Sequence, residues 1–74
     1  MIASIEIVRD FNKKYYANAY LDDDFVRGIP EYVPFPVLKQ AVRRYVGIQL
    51  PRATDLKWSR IGRKQYAYFT KEVA

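Results

Sequence analysis

The dipeptide Gly62-Arg63, set between two stretches of alternating apolar and polar residues, constrains this chain more than any other feature. A two-residue hairpin loop of type II′ needs positive φ at its first central position, and glycine supplies it without steric cost. With Gly62 and Arg63 as the loop, Ile61 stands opposite Lys64, Arg60 opposite Gln65, Ser59 opposite Tyr66, Trp58 opposite Ala67, Lys57 opposite Tyr68 and Leu56 opposite Phe69. Successive strand residues point to opposite faces. One face therefore collects Leu56, Trp58, Ala67 and Phe69; the other collects Lys57, Ser59, Lys64, Tyr66 and Tyr68, with Arg63 at the tip. A slip of one residue would mix the two sets. The sorting predicts a hairpin over residues 55–71, apolar on one side and basic and aromatic on the other.

Residues 2–21 sort in the same way around a three-residue loop, Phe11-Asn12-Lys13, in which Asn12 or Lys13 takes the left-handed conformation. Asp10 then faces Lys14, and the pairs run from Arg9 with Tyr15 to Ser4 with Tyr20. Ala3, Ile5, Ile7, Ala17, Ala19 and Leu21 share one face; Ser4, Glu6, Val8, Tyr16, Asn18 and Tyr20 share the other. The small alanines leave room for a helix to lie close, so this first hairpin reads as scaffold.

Asp22, Asp23 and Asp24 end the second strand, because adjacent carboxylates repel and aspartate is a poor strand former. They lack the spacing of a calcium loop and read as a solvated or partner-facing acidic turn, not a metal site. Residues 22–35 form a proline-rich connector: Pro30 and Pro34, with Pro36 just beyond, exclude regular structure, and Phe25, Ile29, Tyr32, Val33 and Phe35 are expected to pack over the core edge, or else to form an exposed apolar patch that marks a partner site. A helix follows over residues 36–46. Pro36 suits its first turn, Gly47 its C′ position, and Val37, Leu38, Ala41, Val42 and Tyr45 make its apolar stripe. Val73 and Ala74 are expected to fray. The order is ββαββ, a single α+β domain over residues 1–74 with one helix packed on an antiparallel sheet.

Trp58-Ser-Arg-Ile-Gly-Arg-Lys-Gln-Tyr-Ala-Tyr68 resembles the wing of winged-helix DNA-binding domains. The resemblance implies an alternative, winged-helix-like fold, in which a basic hairpin follows a recognition helix; here one helix precedes it.

Seventy-four residues make a small core, since a chain of this size buries only about 60% of its unfolded surface. A homodimer would relieve that shortage. There is no cysteine and no histidine, which removes disulfides, thiolate metal sites and the usual nucleophilic triads. The three glycines are isolated, so no loop cradles a phosphate. Asp55-Leu56-Lys57 has the acid-x-Lys spacing of metal-dependent nucleases of the PD-(D/E)xK type, with Asp24 as a second carboxylate, but the chain is short for that core. No enzyme activity and no cofactor or metal are expected. The N-terminal stretch lacks a basic n-region and no apolar run approaches a membrane span, so the expected location is cytoplasmic, with no membrane partner.

Charge is distributed unevenly. Residues 1–37 carry four cations against six carboxylates, and residues 38–74 carry nine against two. This points to a polyanion or to the acidic surface of a partner protein. The leading expectation is a nucleic-acid-binding module, possibly regulatory, in which Arg52, Lys57, Arg60, Arg63 and Lys64, with Lys39, Arg43 and Arg44 of the helix, meet phosphates while Tyr66 and Tyr68 stack or pack on the backbone. The alternative is a small inhibitor or adaptor, of the kind phages and mobile elements carry, that acts on a larger protein complex through Asp22, Asp23, Asp24, Tyr32 and Phe35.

Overall fold

The computed structural model describes residues 1–73, and for Pro30 and Glu31 the backbone alone. Its elements are β1 (Ile2–Arg9), β2 (Tyr15–Leu21), β3 (Asp24–Val33), α1 (Phe35–Val46), β4 (Ser59–Ile61) and β5 (Lys64–Glu72), with a 3-10 turn at Ala53–Asp55. The strands form one antiparallel sheet in the order β3-β2-β1-β5-β4. One helix on an antiparallel sheet is the expected α+β arrangement. The element order is βββαββ, not ββαββ, because part of the proline-rich connector is a strand.

The reason lies in the aspartates and in the position of the proline. Asp22 and Asp23 both have positive φ, 47° and 69°, so they form the two-residue loop of a second hairpin and not merely the end of a strand. Type I′ loops demand this conformation at both central positions, and aspartate tolerates it. Asp22 also fastens the turn to β1: its Oδ1 accepts the Ile2 N–H at 2.8 Å and its own N–H donates to the Ile2 carbonyl at 2.9 Å. Pro30 cannot donate to a ladder, so it is compatible with a strand only at a sheet edge. Strand β3 is such an edge, and its register against β2 shifts twice, between Tyr15 and Ala17 and between Ala19 and Tyr20.

The β1–β2 register is the one the side-chain sorting predicts, from Ala3 opposite Leu21 to Arg9 opposite Tyr15. Lys13 takes the left-handed conformation, with φ 59°, and Asp10 N–H donates to the Lys14 carbonyl. The second predicted hairpin is only partly present. Its tip is as expected: Gly62 has φ 63°, and Ile61, Arg60 and Ser59 face Lys64, Gln65 and Tyr66. The pairs of Trp58 with Ala67, Lys57 with Tyr68 and Leu56 with Phe69 do not form. Before Ser59 the chain turns back over the core, where the Trp58 indole N–H donates to the Ala53 carbonyl at 2.9 Å and Leu56 is buried. The other side of β5 pairs with β1 along its whole length, from Ile2 opposite Glu72 to Arg9 opposite Gln65. The hairpin is therefore not a free wing.

Ala3, Ile5 and Ile7 of β1, Tyr15, Ala17 and Ala19 of β2, Ile29 of β3 and Ala67 of β5 make the buried face of the sheet. Phe35, Leu38 and Val42 of α1 cover it over β2 and β3, where the alanines allow close approach. Ile48, Leu50 and Leu56 complete the cover. The helix begins one residue earlier than expected, with the Pro34 carbonyl accepting the Val37 and Leu38 N–H groups. Its buried stripe is also rotated: Val37 and Tyr45 stand exposed, and the Arg27 guanidinium lies 4.2 Å from the Tyr45 ring centroid. Gly47 closes the helix at φ 76°, its N–H donating to the Arg43 carbonyl.

Val73 is held, not frayed: its N–H donates to the Met1 carbonyl at 2.8 Å. Ala74 lies outside the described residues. No helix among the described residues is long and apolar enough to cross a membrane.

Leu38 is fully buried at the centre of the helix–sheet contact. Leu38→Ala should cost about 3 kcal/mol in urea unfolding, a large share of the stability of so small a domain. Gly62→Ala places a Cβ at positive φ with open space around it, and should cost only about 1 kcal/mol through backbone strain.

Candidate nucleic-acid interface

Helix α1 and the segment after it cover one face of the sheet and leave the other uncovered. Even-numbered residues of β1, β2 and β5 point to this open face, because they alternate with the buried set. Ser4, Glu6 and Val8 run down its centre, flanked by Tyr16, Asn18 and Tyr20 on one side and by Tyr66, Tyr68 and Thr70 on the other. The edge strand adds Tyr32, whose ring centroid is 5.0 Å from that of Tyr16, and Phe25, 5.8 Å from Tyr20. Six aromatic rings thus share a surface to which the sequence pattern had assigned four.

The surface is ordered by a few polar contacts. Val8 is only 1% exposed although it faces away from the helix; its cross-strand neighbours Tyr16 and Tyr66 stand on either side of it. Glu6 binds both neighbouring strands, accepting the Tyr68 hydroxyl at 2.8 Å and the Asn18 side-chain N–H at 3.1 Å. The hydrogen bond to Glu6 raises the Tyr68 pKa above the ordinary phenol value, with desolvation adding to the effect. Lys64 lies over the same face, its Nζ 5.6 Å from the Tyr16 ring centroid. The phenol groups of Tyr16 and Tyr32 raise its pKa, since their ionised forms favour the ammonium. Tyr68 itself is 61% exposed and offers a ring to solvent.

Charge is segregated along the strands. The β1–β2 and β4–β5 turns meet at one end because Arg9 pairs with Gln65. This end gathers Arg9, Lys13, Lys14, Arg60, Arg63 and Lys64 against the single carboxylate of Asp10. Asp10 is already engaged: its Oδ1 accepts the Asn12 and Lys14 N–H groups at 2.9 and 3.1 Å. The opposite end holds Asp22, Asp23, Asp24 and Glu72, together with Lys71 and the Met1 ammonium.

Of the residues predicted from sequence, the structure brings Arg60, Arg63 and Lys64 to the cationic end and Tyr66 and Tyr68 to the open face. It does not join the others to them. Lys39, Arg43 and Arg44 ride on α1, across the sheet from the tyrosines. Arg52 is paired with Asp55, Nε to Oδ2 at 3.0 Å, which raises its pKa and also occupies the carboxylate of the acid-x-Lys spacing. Lys57 is exposed in the loop before β4. For the protein-binding alternative, Tyr32 lies on the open face and the three aspartates lie at its acidic end, but Phe35 is buried against Tyr15, with centroids 5.1 Å apart, and cannot serve as a contact. Sequence reasoning missed Arg9, Lys13, Lys14, Tyr16 and Tyr20. The alternation had already put both tyrosines on the polar face; the three cations were hidden in the acidic half of the chain.

Comparison with protein-family models, with curated proteins and with solved structures finds no match for this chain.

Because the Glu6 contact raises the Tyr68 pKa, the contact stabilises the fold below the usual phenol range near pH 10 and is lost as the pH rises through the higher folded value. A carbon-detected NMR titration of the Tyr68 phenol should show ionisation above pH 10, and Glu6→Gln should lower the midpoint.

Proposed function

We propose that the protein binds single-stranded nucleic acid across the open face of its sheet, with bases on the tyrosine rings and phosphates at the cationic end. The observation that carries this reading is the joint placement of exposed aromatic rings and a cluster of lysines and arginines at one end of an uncovered sheet. Every base has a π-face, so a row of tyrosines can take successive bases, each stack contributing about 1–3 kcal/mol. Backbone charge is neutralised by the cations of the two turns.

Size argues against the duplex. Five strands spaced about 4.8 Å apart make a surface nearly 20 Å wide, whereas the major groove is about 12 Å across. Because β5 is bound to β1 along its length, only the Gly62-Arg63 tip projects, and a two-stranded ribbon is not available to enter a groove.

A second reading rests on the other end of the sheet. Asp22, Asp23 and Asp24 beside exposed Phe25 and Val26 would repel a polyanion and suit a basic protein partner. A stoichiometric partner that survives nuclease treatment and high salt would favour an adaptor or inhibitor.

Parallel titrations with single-stranded DNA, single-stranded RNA and duplex DNA over a salt series separate these readings. With four or five phosphates neutralised, log K for a single strand should fall against log[salt] with a slope of about −3, and the duplex should bind more weakly. Tyr68→Ala should weaken binding about tenfold or more. Replacing Lys39, Arg43 and Arg44 together by alanine should leave affinity within about twofold. Absence of binding at low salt, or a loss from the helix triple variant as large as that from Tyr68→Ala, would sink the proposal.

A further inference from the structure

The two turns at the cationic end enclose a cleft of about 170 Å³ lined by Arg9, Asp10, Phe11, Arg60, Arg63 and Gln65. Arg9 is held in place from two directions. Its guanidinium carbon lies 3.9 Å from the Trp58 ring centroid, and its Nε donates to Gln65 Oε1 at 2.8 Å. Trp58 is itself fixed, through its hydrogen bond to the Ala53 carbonyl and its packing on Tyr15 at 6.1 Å. With Nε and one guanidinium face committed, the edge bearing the two terminal nitrogens is left to act as a planar fork. Arg60 is oriented too, its Nε donating to the Gly62 carbonyl at 3.3 Å.

Three guanidinium groups line this cleft with one carboxylate, and two backbone N–H groups already bind that carboxylate. Among the described residues the only ion pair is Arg52 with Asp55, so none of the three arginines has an acidic partner within 4 Å among those residues. Three cations facing the one carboxylate of Asp10 leave the cleft with a net positive charge, and an anion with several acceptor oxygens would relieve the repulsion among them.

We propose that this cleft is a phosphate-binding site and that it receives a terminal phosphate of a strand that crosses the tyrosine face and bends around the two turns to the side of Arg9, Arg60 and Gln65, which the alternation places on the opposite face. A terminal monoester carries a second negative charge that an internal diester lacks, which suits three cations better than one charge would. That the phosphate belongs to a nucleic-acid strand rests on the function proposed above; the site itself does not.

The test uses the full chain and two probes. In NMR titration, inorganic phosphate should shift the Arg9 Hε and Trp58 indole resonances saturably. Arg9→Ala should abolish that response, and Arg9→Lys, which keeps the charge and the aliphatic stem, should weaken it roughly tenfold. In binding assays, oligonucleotides with a 5′- or 3′-phosphate should bind at least tenfold more tightly than the same sequence with hydroxyl ends. Arg9→Ala or Arg63→Ala should remove the difference, whereas Tyr68→Ala should weaken both kinds of oligonucleotide equally.

Failure of phosphate to move the two resonances, or an unchanged response in a folded Arg9→Ala variant, overturns the site even if oligonucleotides bind. A specific phosphate response without oligonucleotide binding keeps the site and overturns the nucleic-acid reading. Equal affinity for phosphorylated and hydroxyl-ended strands overturns the terminal assignment.

Discussion

The ladder between β1 and β5 is the constraint on which the rest of the structure depends. It joins the first strand of the chain to the last, from Ile2 opposite Glu72 to Arg9 opposite Gln65. Without it there would be a three-stranded meander with a helix on one side and a short hairpin of three pairs, neither with enough apolar surface to stand alone. With it, β1 is paired on both sides and its residues Ile5 and Ile7 are wholly buried. The same ladder brings the Asp10–Lys14 turn beside the Gly62-Arg63 turn, and this makes one end of the sheet cationic.

A sheet covered on one side only must treat its two faces differently, and a single alternation encodes both. The buried face uses small and branched residues where α1 crosses, so that the helix can sit close to Ala17 and Ala19. The open face uses tyrosines, which can screen apolar surface with their rings while keeping the hydroxyl in water. Val8 shows the consequence: an apolar side chain on the uncovered side is kept dry between Tyr16 and Tyr66. The proposed binding would therefore draw on the same rings as stability, so replacing Tyr16 or Tyr66 would disturb both, whereas the more exposed Tyr68 separates them better.

Electrostatics divides the open face along the strands. Glu6 at its centre is bound by Tyr68 and Asn18, so its charge is partly offset by donors from both sides. Asp22 serves the backbone of Ile2 as well as contributing to the acidic end. A bound polyanion would be drawn towards the turns at 10–14 and 62–63 and away from the turn at 22–23. An extended ligand would in this way be given a direction along the strands.

Period-two sorting made much of this legible from sequence. With turn and cap chemistry beside it, the pattern determined the β1–β2 register, the loop at Gly62, the Gly47 helix end, and the side of the sheet on which Tyr66 and Tyr68 lie, and it narrowed the left-handed residue of the first loop to Asn12 or Lys13, because each depends on residues near one another in the chain. It did not identify β3, since three aspartates and a proline look like a break unless one knows that the strand is an edge and that the aspartates form its turn. Nor did it show that Leu56 and Trp58 leave the second hairpin to cover the core, because that choice depends on the space left beside α1. The candidate site was divided in the same way. Arg60, Arg63 and Lys64 were visible as a local cluster, but Arg9, Lys13 and Lys14 join them only through the β1–β5 ladder, and Lys39, Arg43 and Arg44 are separated from Tyr66 and Tyr68 only because the helix takes the other face. Local pattern decides which way a side chain points; which turns become neighbours is settled by strand order, and strand order is set by long-range pairing and burial that no single stretch of this chain contains.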